Sequence, residues 1–438
     1  MKITIYGWST SYLPPKKKGL GYHRSGDFGA FAALSPLTCK RVVPAMSDNQ
    51  MGRWRVIPAL RNDKPHESGS RARRRTALAA SAALFAAMAM AFLGAAPASA
   101  QPPLCFGRPA TNPGSTTGTP GKDVIIGTAG ADTIDGLGGK DLICGLGGDD
   151  SLYGGPGKDE IDGGDGDDIV VGDTFTSSGD AIGATGSDRL LGGPGNDFMV
   201  GDNGTFVGTA RGASRDTLLG GPGGDELDGD DMGVNADGGA NDRLDGGDGD
   251  DSLTGDSLGL HAARGAGNDV LLEGQGNGIA IGDSQSVGNA RGAHGNDTID
   301  LGADGGRIAI GDHFAQDGTA IGSGNDRITG GAAGERLIIG DSRVEDATGV
   351  TAGNDVIDGR GGDDGGTLGG MFGDNALFNP TTGRWEAAGT AGGNDHIKGG
   401  PGNDSLFGGP RNDFLDGGPS NDSCDGDGGH NRVVNCEA

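Results

Sequence analysis

The sequence predicts an all-β solenoid, a chain that coils through short strands and tight turns instead of collapsing around a globular core. Three observations predict it. Glycine supplies 94 of the 438 residues, and 86 of these follow residue 100. From residue 118 onward, Gly, Asp and an aliphatic residue recur at fixed places every nine positions. Further along, a Gly-Asp pair recurs at a second spacing about three times longer.

Charge separates two parts of the chain. Of the 34 basic and 61 acidic side chains, residues 1–100 hold 15 and 4, which leaves 19 and 57 for the remaining 338 residues, a net charge of −38. So glycine-rich and acidic a segment lacks the apolar and aromatic volume of an ordinary enzyme core. It would also repel the phosphates of nucleic acid. By composition alone it would be disordered; the periodicity is what argues for structure.

Arg71, Arg73, Arg74 and Arg75 precede an apolar run over residues 76–93, and Ala98-Ser99-Ala100 follows. A basic segment, an apolar segment and an A-x-A site make a secretory signal over 71–100, cleaved after Ala100 and before Gln101. The alternative is a membrane anchor, since 18 residues just span a bilayer, but most of the run is weakly apolar Ala. The cluster Arg73-Arg74-Arg75-Thr76 leaves twin-arginine export open beside general secretion. Residues 1–70 are read as translation begun too far upstream, with Met46 or Met51 as the start, or as a long basic leader. Cys39 then lies outside the mature protein.

From Gly118 six nonads run without a gap: GTPGKDVII, GTAGADTID, GLGGKDLIC, GLGGDDSLY, GGPGKDEID and GGDGDDIVV. Positions one and four are Gly, six is Asp and eight is aliphatic. Glycine permits positive φ, so six residues can turn tightly, and the other three form a short strand. The middle side chain of such a strand faces opposite to its neighbours. Ile125, Ile134, Ile143, Leu152, Ile161 and Val170 therefore stack as one narrow core, while the Asp residues fall on the turns. One aliphatic side chain per nonad is little burial for nine ordered residues, and stacked carboxylates repel. A hard divalent cation with oxygen ligands removes the repulsion and stiffens the turns.

The nonads resemble the calcium-binding repeats-in-toxin (RTX) family, and the resemblance covers almost the whole mature chain. It implies a right-handed parallel β-roll in which successive nonads alternate between two facing sheets. It also implies calcium between neighbouring turns on each edge, held by position-six Asp carboxylates and Gly-rich backbone carbonyls. The ending NDSCDGDGGHNRVVNCEA, with Cys105-Phe106-Gly107 before the first repeat, is similar to secreted actinobacterial-type calcium-binding repeat proteins. Many RTX proteins leave through a type I exporter with an uncleaved C-terminal signal; the N-terminal signal here departs from that pattern.

After Val171 the nonads are interrupted. Gly-Asp recurs at Asp173, Asp202, Asp230, Asp256, Asp283, Asp312, Asp341 and Asp374, and each period holds a long loop, a strand, a short turn and a second strand. One period is thus one full coil, and all eight long loops leave from one edge. The short metre resumes at Gly399 and runs to Val434. The organisation predicted is a cap segment over 101–117, repeats over 118–434 and a C-terminal cap over 435–438.

The ligands expected are the position-six residues. In the regular repeats these are Asp123, Asp132, Asp141, Asp150, Asp159 and Asp168. On the long-loop edge they are Asp188, Asp216, Asp242, Asp269, Asp297, Asp326, Asp355 and Asp395. On the short edge they are Asp197, Asp225 and Asp251, and at the C-terminal end Asp404, Asp413 and Asp422. With the eight Gly-Asp residues, the long-loop edge carries two acidic columns. On the short edge the Asp then fails, Gly278 and Arg307 taking the slot and Glu335-Arg336 sitting near it, so calcium is expected to be sparse there between about 273 and 341. Arg307 and Arg336 there replace a mobile cation by a fixed one, or are solvated arginines.

Four Cys remain after cleavage, and three connectivities are open. Two lie at each end of the repeats, so the pairing expected is Cys105–Cys144 and Cys424–Cys436, bridging the termini where a solenoid frays; free thiols are the alternative. His261, His294, His313, His396 and His430 are scattered through loops with no metal-ligand spacing. No nucleophile elbow or phosphate loop is present, and only residues 101–117 lie outside the repeats.

The function expected is a secreted, non-enzymatic calcium-binding repeat protein with several calcium ions, folding on calcium and serving a structural or adhesive role. It has no membrane span in the mature chain and is released, not anchored. The alternative is a module that binds a cell-surface glycan or protein on the long-loop edge, where loop 373–395 offers Phe378 and Trp385. A glycosidase-type carboxylate pair is disfavoured because so many acids pair by chance. An ice-binding face is disfavoured because the strands show no outward Thr row.

Overall fold

In the computed structural model, which describes residues 102–437 apart from 293–294, 305–307, 346–349 and 367–368, every regular element is a β-strand. The signal segment and its cleavage point, the upstream stretch with Cys39, His294, Arg307 and Ala438 lie outside the described residues.

The nonad metre sets the coil. Thirteen parallel strands, from Val124–Ile126 to Arg432–Val434, form one sheet, and twelve, from Thr133–Asp135 to Ser423–Asp425, form the second. Successive nonads alternate between them: Ile125 pairs with Ile143 in the first sheet, and Ile134 with Leu152 in the second. The middle residues of both sheets meet in one buried file that runs from Ile125 through Leu253 to Leu415. This is the parallel β-roll that the repeats predict. The turns must be glycine because consecutive coils touch backbone to backbone. A β-carbon at Gly223 or Gly249 would overlap the carbonyl of Gly195 or Gly223 in the coil before.

Both ends are bridged as expected, Cys105 to Cys144 and Cys424 to Cys436. Cys105 and Cys144 pack with Val124 in a small cluster that starts the roll.

The long loops depart from expectation. Read from sequence as irregular, six of them supply ten short strands that form a third sheet, parallel throughout. Loops of similar length leave each coil at the same point, one strand spacing apart. Their amides and carbonyls have no nearer partner than the loop of the next coil, and buried backbone groups do not stay unpaired. Ala181, Ala210, Ala236, Ala263, Ala290 and Ala320 align across this sheet and are essentially inaccessible. Their small side chains let the layer lie close on the edge of the roll.

The third sheet is closed by aromatic residues. At its start Tyr153 stacks on Phe175 at 5.2 Å, and Phe206 packs edge-on at 5.1 Å. At its far end Arg343 lies over the rings of Phe314 and Trp385, at 4.9 and 5.9 Å. Trp385 belongs to an antiparallel hairpin, Ala376–Asn379 with Arg384–Ala387, in which it pairs with Phe378. Among the described residues no helix is long and apolar enough to cross a membrane.

Candidate metal centre: stacked carboxylates on two edges

On the long-loop edge the position-six residues form a continuous ladder. The backbone N–H of each donates to Oδ1 of the next, from Asp123 to Asp141, Asp159, Asp188, Asp216, Asp242, Asp269, Asp297, Asp326, Asp355, Asp395 and Asp413, at 2.6–3.0 Å. This bond uses one carboxylate oxygen and fixes the side chain. The second oxygen of Asp188, Asp242, Asp269, Asp297, Asp326, Asp355 and Asp395 is buried without a hydrogen-bond partner. Charged groups left so are costly unless paired or bound to a metal.

The Gly-Asp column stands beside this ladder, inaccessible to solvent under the third sheet. It joins the ladder in three triads whose ligand oxygens lie within 4.8 Å of one another: Asp202, Asp216 and Asp230; Asp230, Asp242 and Asp256; Asp256, Asp269 and Asp283. Asp230 and Asp256 each belong to two triads, so the sites run as a file with shared carboxylates. The ligand set expected from sequence stops at position six. The Gly-Asp residues were legible as a column, but the distance between the columns was not.

Burial, and after it the charge of neighbouring Asp173, pushes Asp188 up to about 10; burial and Asp202 push Asp216 up to about 9. Burial and Asp269 hold Asp242 well above the usual carboxylate range, and burial with the Asp283 charge does the same for Asp297. His313, the residue after the Asp312 Gly-Asp pair, is also fully buried, and burial pushes its imidazole down to about 3. Its Nδ1 accepts the Ser284 N–H at 3.1 Å, so the single proton of the neutral ring is on Nε2, 3.6 Å from Asp283 Oδ2. Nothing in the spacing of the five His marked this one out.

The short edge has one column. Asp132, Asp150, Asp168, Asp197, Asp225 and Asp251 are linked by the same amide-to-carboxylate bond at 2.7–2.9 Å. From Asp150 on, its carboxylates are equally inaccessible, but no second column stands beside them, and burial raises Asp168 and Asp225 to about 6 and Asp197 and Asp251 to about 7.

Where the Asp of position six fails, from about 273 to 341, two glutamates narrow the gap in carboxylates. Glu273 buries its carboxylate in the coil whose position six is Gly278. Glu335 takes the slot near Arg336, and its N–H donates to Asp364 Oδ1 at 2.7 Å. From Asp364 the column continues to Asp404 and Asp422, at 2.9 and 3.0 Å. Only the coil between Glu273 and Glu335 lacks a described acid in line. There Leu301 is buried in the core file. Arg336 is exposed, so Glu335, and not a fixed cation, fills its slot. Glu335 and Asp364 were missed because insertions after them break the nonad count.

A family profile described as RTX calcium-binding nonapeptide repeat (4 copies) matches residues 117–152, 145–176, 180–205, 236–257, 322–333, 350–365, 390–413 and 398–433. The chain carries RTX calcium-binding nonapeptide repeats. No curated protein and no solved structure matches it.

Calcium fits the RTX columns found here. Every unpartnered donor on the two ladders is a carboxylate oxygen, the hard ligand that calcium prefers, and its double charge would offset the repulsion that raises these carboxyls. The first RTX turns are different. Asp123 Oδ2 accepts the Thr119 N–H and hydroxyl at 2.6 and 2.8 Å, and Oδ1 accepts the Thr111 hydroxyl at 3.1 Å. Asp132 Oδ2 likewise accepts the Thr128 N–H and hydroxyl, at 2.6 and 2.9 Å. These bonds outweigh burial and leave Asp123 below its ordinary range, while burial raises Asp141, one coil on, to about 6. Of these two expected ligands, Asp123 thus has both oxygens taken by protein and Asp132 has one. At the other end Asn431 and Glu437 accept the N–H groups of Asp413 and Asp422 at 2.7 and 2.5 Å and finish the two columns.

Proposed function

We propose that this RTX-repeat protein is a secreted, non-enzymatic scaffold that several calcium ions fold outside the cell, with a structural or adhesive role there. The supporting observation is the two rows of buried carboxylate oxygens without partners. Extracellular calcium modules bind at about 10⁻⁴–10⁻³ M, so the chain would stay extended inside the cell and fold after export. The signal-like segment over 71–100 supports that route. The reading is tested by titrating the full chain with calcium under circular dichroism and small-angle X-ray scattering, with and without chelator. The expected result is a calcium-dependent gain of β signal and compaction with several ions bound per chain. A chelated chain with full β signal and compact dimensions would reject it.

A second reading, a glycan or protein partner on the long-loop edge, draws on the third sheet. Arg211, Asp237, Arg264 and Arg291 align there as an exposed or half-exposed charged row on a chain that is otherwise strongly acidic.

A further inference from the structure

The short edge carries a side-chain exchange that the repeat motif does not describe. In the preceding coil, Gly246 is position one and Asp251 position six. A β-carbon on Gly246 would lie 2.5 Å from Asp251 Oδ2, so the position-six carboxylate normally occupies the space over position one. The next coil pairs in register with this one: Gly247 opposite Gly274, Asp248 opposite Gln275 and Ser252 opposite Ile279. By that register Glu273 stands at position one and Gly278 at position six. The carboxylate now comes from the other side of the turn, and a β-carbon on Gly278 would fall on Glu273 Oε1. Acid and glycine have traded places.

The Glu273 carboxylate is inaccessible, and neither of its oxygens has a hydrogen-bond partner. Asp251, one coil before, also has Oδ2 buried without a partner. Glu273 carries two methylenes where Asp carries one, and it reaches from position one into the space that Asp fills from position six. The following coil has Leu301 at position one, buried in the core file; an alkyl group there ends the acidic run.

We propose that Glu273, with Asp251, holds a divalent cation of the calcium class and forms the last site of the first short-edge file, the exchange with Gly278 keeping a carboxylate in the turn where the repeat motif has lost its Asp. The assignment rests on the calcium reading above. It divides the short edge into two files, one ending at Glu273 and one beginning at Glu335, separated by the Leu301 coil.

The test compares the full chain with Glu273→Gln and with the double variant Glu273→Gly/Gly278→Asp, which restores the ordinary motif. Native mass spectrometry in calcium counts the ions, and circular dichroism establishes that each variant folds. Glu273→Gln should bind one calcium fewer than the parent, and the double variant should recover it. An unchanged count in folded Glu273→Gln would overturn the proposal, as would a double variant that stays one ion short. Failure of the calcium reading looks different, because the parent chain itself would then bind no calcium.

Discussion

The two edges of the roll start from the same repeat and end in different electrostatic states. On the short edge a single column lies in tight turns, and burial raises its carboxyls to about 6 or 7 at Asp168, Asp197, Asp225 and Asp251. On the long-loop edge a second column stands beside the first and the third sheet covers both. Burial, followed by the neighbouring Asp charge, takes Asp188 to about 10 and Asp216 to about 9. Both rows are inaccessible to solvent, and the Gly-Asp column adds its charge to burial on the long-loop edge, Asp173 at Asp188 and Asp202 at Asp216. A short turn buries one row of acids, whereas a long loop brings a second row beside the first and makes a cation more necessary.

The largest expected effect uses acid in place of calcium. Each of these carboxyls titrates higher in the folded chain than in the unfolded one, near 3.9. The metal-free fold therefore binds more protons than the unfolded chain and gains stability as pH falls. The gain begins near pH 10 where buried acids crowd, at Asp188 on the long-loop edge and Asp364 on the short edge, and near 7 at Asp197 and Asp251, and it is complete below about 4. In chelator, acidification from pH 8 to 5 should restore β signal, and hydrogen exchange should show the long-loop edge gaining more protection. In saturating calcium the same change should lower stability, because protons compete for the ligands. Parallel responses with and without calcium would break the contrast.

A smaller effect separates shared from unshared carboxylates. Asp256 belongs to two of the carboxylate triads, whereas Asp225 belongs to none of the three. At calcium one hundred times Kd each bound ion contributes about 2.7 kcal/mol. Asp256→Asn should thus cost about twice as much as Asp225→Asn, read as the shift in denaturant midpoint at fixed calcium. Equal shifts would mean that the triads do not act as a file.

The smallest effect lies at the start of the roll. Thr119→Ala removes a hydroxyl that satisfies Asp123 and should cost about 1 kcal/mol, by the same amount with calcium at saturation or at one-tenth of it. A cost that grows with calcium would place an ion at Asp123 after all.

Much of this was legible in the residues. Nine-residue spacing dictated Ile125 opposite Ile143 and Ile134 opposite Leu152, because Gly turns and three-residue strands admit one periodic stacking. The alternation of Asp123, Asp141 and Asp159 on one edge with Asp132, Asp150 and Asp168 on the other follows from the same metre. The four Cys could be paired by their places at the two ends. A further signal was present and went unread: Ala-x-Gly recurs in six loops, at Ala181, Ala210, Ala236, Ala263, Ala290 and Ala320, and marks the third sheet.

The sequence by itself determined the coil, its aliphatic file and its rows of Asp, since these depend on spacing along the chain and on what each residue type can do in a turn. Only the tertiary structure decided which oxygens share a site. Asp202, Asp216 and Asp230 are separated by whole loops and meet because one coil stacks on the next. Glu273 fills the place of an Asp from five residues before the expected slot, while Asp123 has its oxygens taken by Thr119 and Thr111. Such outcomes turn on a few ångströms of approach between side chains and backbone, and spacing along the chain does not encode them.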